Sequence, residues 1–215
     1  YDNYDKQYYQ WVWFPEENKE LVNETLKWSD GETVKNVFYS EKHMLENFLE
    51  TMQKKNPDML IAWFGLKFDL PKLIDRCCAL GVSPLKLSPY ASVSNVFPTK
   101  DGYRFTKAEE GFSPISQRGT LPSLSLNYVS EYVLGRNKLE SEKFPDPNEF
   151  YRRAWLEDTE TYLNYAVIDV ELMVEIDDSN YCSEAMLALQ RLLVAPFDAC
   201  FYASHMGGVY FMRNA

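Results

Sequence analysis

A phenol and a carboxylate four positions apart, Tyr165 and Asp169, sit in the apolar run Tyr162-Leu-Asn-Tyr165-Ala-Val-Ile-Asp169-Val-Glu-Leu-Met173. The run has helical period, and residues at i and i+4 share a helical face, so the two groups project together. Metal-dependent phosphodiester hydrolysis needs such a pair. One carboxylate is not a metal site, so other ligands must be found. By 3.6-residue arithmetic Asp158 and Tyr162 fall in the same stripe. The pattern alone better fits a half-buried face whose tyrosines hydrogen-bond locally and whose aspartates are solvated.

Asp69 is the second candidate. The run Met59-Leu-Ile-Ala-Trp-Phe64 is continuously apolar between breakers, as expected of a strand buried on both faces of a partly parallel sheet. Gly65-Leu-Lys67 then reads as a short loop. Asp69-Leu-Pro71 opens a helix over Lys72–Leu80, with Gly81 as its stop. Open α/β sheets place ligands at the carboxyl ends of their strands, where Asp69 would lie. Its plainer role is an N-cap that accepts helix N–H bonds. Other acids are weaker candidates. Asp158-Thr-Glu160 and Asp169-Val-Glu171 lie in helical pattern, where i and i+2 diverge, and read as solvated pairs. Arg152 and Arg153 read as surface ion-pair partners, and His43 and His205 are too isolated to build a metal site or a triad.

The elements that must position these groups follow from pattern. Tyr8–Phe14 is aromatic and β-branched and reads as a strand ended by Pro15. Leu21–Trp28 and Thr33–Tyr39 read as extended runs around the turn Ser29-Asp-Gly-Glu32. Ser40 caps a helix whose stripe is Met44, Leu45, Phe48, Leu49 and Met52, closed by Pro57. Residues 82–121 carry many turn formers, with Tyr103-Arg-Phe105 as a short strand. Ser123 or Ser125 caps a helix through Leu126, Val129, Val133 and Leu134 that Gly135 ends. One helix or a pair runs from about Glu149 through Ile176. From about Tyr181 the chain begins with a helix and becomes aromatic and glycine-containing.

The 215 residues are 46% hydrophobic and 25% charged, an ordinary composition for a chain with a sizeable core. No apolar run approaches the roughly 18–20 residues of a membrane span. Cys77, Cys78, Cys182 and Cys200 show no ligand spacing and read as reduced thiols of an intracellular protein. The formal net charge of −10 counts against broad nucleic-acid binding, which wants a basic surface. It leaves a nuclease open, because a carboxylate site is itself acidic and is neutralised by metal. The opening Tyr-Asp-Asn-Tyr-Asp and the ending Met-Arg-Asn-Ala215 read as cuts through a longer sequence.

Taken in order, these segments resemble the 3′–5′ exonuclease domain of family B DNA polymerases. Asn56-Pro-Asp-Met-Leu-Ile-Ala-Trp-Phe-Gly-Leu-Lys-Phe68-Asp69-Leu-Pro-Lys-Leu73 is similar to the family's second exonuclease motif with its preceding strand. Leu121–Lys138 is similar to the helix before the third motif, and Tyr165-Ala-Val-Ile-Asp169 matches the Tyr-x-x-x-Asp third motif itself. The resemblance covers about residues 1–178. It implies an α/β, RNase-H-like mixed sheet flanked by helices, with its first strand missing, over residues 1–180. Residues 181–215 would be the start of the polymerase domain.

The resemblance also implies a two-metal mechanism with Mg²⁺ or Mn²⁺ held by four carboxylates. Residue by residue, Asp69 and Asp169 carry over as metal ligands, Tyr165 as the phenol that orients the attacking water, and Phe68 as a contact to the terminal nucleotide. The implied partners are the primer 3′ end of DNA and the remainder of the polymerase chain, with no membrane, wherever in the cell DNA is replicated. Three features depart from the family. The first motif, an Asp-x-Glu on the first strand, is absent and would belong just before Tyr1. The second motif's Asn is replaced by Gly65 or Phe64. The segment Ser116-Gln-Arg-Gly-Thr120 is shorter than the family's. With two of four carboxylates gone, the isolated chain is expected not to hydrolyse DNA. The alternatives are a catalytically inactive structural or DNA-guiding domain and a free-standing exonuclease.

Overall fold

A computed structural model describes residues 1–20, 33–88, 90, 96–100, 102–105, 121–139, 141–195, 200 and 203–214. In chain order the strands are β1 (Tyr8–Trp13), β2 (Thr33–Phe38), β3 (Val96–Thr99) and β4 (Gly102–Phe105). The helices are α1 (Glu41–Lys55), α2 (Leu70–Ala79), α3 (Leu126–Leu134), α4 (Pro147–Glu157), α5 (Thr159–Asn180), α6 (Cys182–Leu193) and α7 (Ala203–Asn214). The chain divides into two compact units, residues 1–111 with 139–170, and residues 112–138 with 171–215.

In the first unit β1 and β2 pair in parallel, with Tyr8 opposite Thr33 and Trp13 opposite Phe38. β3 and β4 form a separate antiparallel hairpin in which Thr99 faces Gly102. The Ser40 hydroxyl accepts from the His43 N–H to start α1, and Asn56 ends it in the left-handed region, its N–H bonded to the Met52 carbonyl. Asn tolerates that conformation because its short polar side chain bonds locally. The apolar stripe of α1 packs against α2: Leu45, Leu49, Cys77 and Val82 are buried together, with Met44, Phe48, Leu73, Leu80 and Leu87 around them. Burying a leucine such as Leu49 contributes about 1.5–3 kcal/mol. Trp11 of β1 joins this core through an edge contact to Phe48, with ring centroids 5.1 Å apart, and donates its indole N–H to Asn47 at 2.9 Å. Gln10, its neighbour on the other face of β1, donates to the Leu163 carbonyl of α5 at 2.9 Å. That bond fixes the helix carrying Tyr165 against the strand.

In the second unit Ser125 caps α3 by accepting from the Tyr128 N–H, and Gly135 ends it at a φ of 67°, which only glycine adopts freely. Val129, Leu172 and Ile176 are buried. Arg136 grips α5 from the side, bonding Glu171 at 3.4 Å and Glu175 one turn on.

Two expectations need correction. Met59–Phe64 is not a strand: it has no regular structure, and Leu60, Ile61 and Phe64 are more than half exposed. A strand covered on both faces needs neighbours to bond, and among the described residues β1 and β2 pair only with each other. The acidic stripe is also broken. Asp158 is not within a continuous helix but ends α4 with φ −153° and ψ 57°, so the region is a pair of helices and Asp158 sits at their joint. The run Leu21–Trp28 and its following turn lie outside the described residues.

Candidate functional site

Tyr165 stands on α5 with its ring half-buried against α4. Phe150, almost fully buried, lies 5.1 Å away between ring centroids, and Tyr151 meets the Tyr165 ring edge-on at 6.0 Å. Phe144, Phe150 and Ala154 form the buried centre of this cluster, with Tyr162 and Tyr165 packed on it. Two cations cover its rim, Lys143 at 5.4 Å and Arg153 at 5.3 Å from the Phe144 ring centroid. α4 is set by its own signature: Asp146 accepts from the Asn148 N–H as N-cap and Pro147 occupies the first turn. The Tyr151 and Tyr165 hydroxyls are 2.8 Å apart and share a hydrogen bond.

Asp169 lies on the same face one turn further along α5, half-buried, with one carboxylate oxygen shut off from solvent. The phenol and the carboxylate act on each other. Burial pushes the Tyr165 phenol above its ordinary value, the Tyr151 hydrogen bond draws it back, and the charge and hydrogen bonding of Asp169 push it up again. Desolvation penalises the phenolate, and a neighbouring anion penalises it further. Tyr165 is therefore a neutral donor and acceptor near neutral pH, fit to orient a water rather than to remove its proton. Tyr162 is raised in the same direction by burial. Both residues lie within α5, so the i, i+4 spacing sets them on one helical face.

Asp69 and Phe68 are carried by a π-helical turn, Gly65–Asp69, that runs directly into α2 through the bond from the Leu70 N–H to the Gly65 carbonyl. Asp69 occupies the N-cap position of α2 yet makes no capping bond with its side chain, and it is exposed. The plainer role of Asp69, an N-cap, is therefore not used. Phe68 is 59% exposed, so its face is open to a stacking partner. Gly65 is buried, and a Cβ there would lie 2.8 Å from the Ala62 Cβ. The turn thus has a steric reason for glycine at position 65.

Asp69 and Asp169 are hard oxygen donors of the kind Mg²⁺ and Mn²⁺ prefer. Their chemistry fits such an ion and their number falls short of a full set. No group of three or more His, Cys, Asp or Glu side chains that could hold a metal is formed among the described residues. Glu149, Glu157 and Glu171 sit at the surface beside arginines. Arg153 bonds Glu157 at 2.7 Å, Arg152 lies 3.8 Å from Glu149, and Glu171 is held by Arg136. Asp158 and Glu160 line a polar cleft of about 490 Å³ with Ser141, Lys143, Thr161 and Asn164.

The family model for the DNA polymerase family B exonuclease domain matches residues 13–120. The chain belongs to this family. The matched stretch contains Gly65–Asp69, while Tyr165 and Asp169 lie beyond it. A DNA polymerase of Thermococcus sp. (strain 9oN-7) is 30% identical over 162 residues, 71% of this chain and 20% of the relative. The DNA-directed DNA polymerase of Escherichia phage RB69 is 26% identical over 155 residues, 65% of this chain and 16% of the relative. A Thermococcus aggregans DNA polymerase is 32% identical over 112 residues, 47% of this chain and 6% of the relative. The chain thus spans a fifth or less of the length of these relatives. The helices and the small parallel sheet are those of an α/β chain.

Sequence reading missed Tyr151. It falls in an ordinary amphipathic helix, and its partnership with Tyr165 spans 14 residues and two elements. The start signal Asp146-Pro147 would have fixed the helix register, but nothing local marks the contact.

Proposed function

We propose that the chain is the 3′–5′ proofreading exonuclease domain of a DNA-directed DNA polymerase, hydrolysing the terminal phosphodiester of a primer strand. The coupling of Tyr165 with Asp169 on one half-buried helical face carries the reading. The exposed, uncapped Asp69 on the family's second-motif turn supports it. Asp69 and Asp169 would hold Mg²⁺ or Mn²⁺, which supplies charge stabilisation for the phosphoryl transfer when bound. Tyr165 orients the attacking water through its hydroxyl. The burial of its ring keeps that hydroxyl in place and protonated. Phe68 offers a ring face to the last base of the strand, worth about 1–3 kcal/mol for such stacking.

In this assignment residues 1–180 are an RNase-H-like exonuclease domain, a mixed sheet flanked by helices, and residues 181–215 begin the polymerase domain. The boundary is supported by Tyr181, which breaks the helical run with a φ of 54°. The partners are the primer 3′ end and the rest of the polymerase, inside the cell where DNA is replicated.

The experiment is 3′ excision of a 5′-labelled single strand by the complete polymerase chain. Asp69→Ala and Asp169→Ala should each abolish the metal-dependent shortening. Excision that survives both substitutions would refute the proposal. The 215-residue chain alone should show none, because the family's Asp-x-Glu carboxylates are not in its sequence; robust Mg²⁺-dependent shortening by it would contradict that part. A second reading, a catalytically inactive DNA-guiding domain, is favoured by the lack of a three-acid cluster among the described residues. It predicts that the complete polymerase binds the strand and never shortens it.

A further inference from the structure

We propose that Tyr151 is a positioning residue for the exonuclease reaction, its hydroxyl bonded to the Tyr165 hydroxyl and so fixing the orientation of that hydroxyl beside Asp169. The inference rests on the exonuclease reading above and adds a residue to it. Three observations converge. The two hydroxyls are 2.8 Å apart, hydrogen-bond distance for O–H···O. The rings meet edge-on at 82°, so the contact has one orientation rather than a sliding stack. Phe150, buried beside both, packs edge-on to Tyr151 at 5.6 Å and against Tyr165 at 5.1 Å. The two phenols are thereby held on one rigid support.

The direction of the bond follows from Asp169. A carboxylate accepts only, and Asp169 lies one turn from Tyr165 on the same helix, so a Tyr165 O–H turned along α5 meets an acceptor there. In the pair of hydroxyls Tyr165 then accepts and Tyr151 donates. The result is a directed chain, Tyr151 to Tyr165 to Asp169, in which each bond polarises the next. Without the Tyr151 hydroxyl the Tyr165 oxygen would take its hydrogen bond from solvent, and the outer phenol would no longer fix it. Tyr151 is itself 54% exposed, so removing its hydroxyl leaves the cluster's packing in place.

The test uses the complete polymerase chain and 3′ excision of a single strand with Mg²⁺. Tyr151→Phe should lower kcat about three- to tenfold, the span of one net hydrogen bond, with KM and thermal melting unchanged. In a Tyr165→Phe background, the same substitution should have no further effect. A structural role alone would instead move the melting temperature or give the same loss in both backgrounds, and either result overturns the inference. So does a Tyr151→Phe enzyme with wild-type kcat. Asp169→Ala separates the two levels: if the wild-type chain shows no metal-dependent excision, or Asp169→Ala keeps it, the exonuclease reading fails and this inference fails with it. If excision depends on Asp169 and not on Tyr151, only the inference falls.

Discussion

Adding a side chain at position 65 should harm this protein. The nearest contact for a new Cβ at Gly65 is the Ala62 Cβ at 2.8 Å, whereas carbon atoms rest comfortably at about 3.5–4.0 Å. Relief requires a backbone shift of several tenths of an ångström, since neither atom is the tip of a flexible side chain. Such overpacking costs about 1–3 kcal/mol. Against it stands the gain of about 0.5–1 kcal/mol from removing a glycine from a helical turn. Gly65→Ala should therefore destabilise the chain by about 1–2 kcal/mol, and Gly65→Asn by no less. The assay is urea unfolding followed by circular dichroism, on wild type, Gly65→Ala, Ala62→Gly and the double substitution. In the Ala62→Gly background the clash is gone, so Gly65→Ala should become neutral or stabilising. Equal costs in both backgrounds, or a stabilising Gly65→Ala alone, would refute the reasoning.

Phe150→Ala should cost about 3–5 kcal/mol in the same unfolding assay, as expected for a buried ring at the centre of an aromatic cluster; a loss under about 1 kcal/mol would mean the cluster does not hold α4 to α5. Burial pushes the Cys77 thiol up to about 11, while its ordinary value is 9.0. The folded value is raised, so the thiol's contribution to stability is full below the unfolded value and is lost as pH rises from 9.0 toward 11. Wild type should therefore lose more stability than Cys77→Ala between those pH values, and parallel losses would contradict the burial. Lys55 bonds Asp2 and Asp5 at 2.6 Å each, and those bonds hold both carboxyls below their ordinary value. That contribution is present above the ordinary carboxylate value and fades as pH falls through the lowered ones. Lys55→Met should free the first turn, seen as faster amide exchange near the N-terminus; unchanged exchange would show the ion pairs to be ornamental.

Much of the scaffold was legible because it is written locally. Ser40 caps the helix it was expected to cap, Ser125 is the one of two expected serines that caps α3, and Gly135 ends α3 through a left-handed φ. The stripe from Met44 to Leu49 faces the core because a 3.6-residue period leaves no other face apolar. Tyr165 and Asp169 share a face for the same reason. What failed depended on partners elsewhere. Met59–Phe64 has the composition of a buried strand, but composition does not supply neighbouring strands, and without them the run stays irregular and exposed. Asp158 looked continuous with Tyr162 on a wheel, yet the helix breaks there. Tyr151 left no trace, since a tyrosine on a half-exposed helix face is ordinary until the opposing hydroxyl is known.

The central claim is that Asp69 and Asp169 serve one divalent-ion site with Tyr165 beside it. Titrating Mn²⁺ into the isotopically labelled chain tests it directly, because the ion broadens nearby amide resonances whatever the activity. The account predicts saturable broadening at both Asp69 and Asp169, extending to Tyr165, and its loss at both places when either aspartate becomes alanine. Broadening at one aspartate that persists without the other would contradict it.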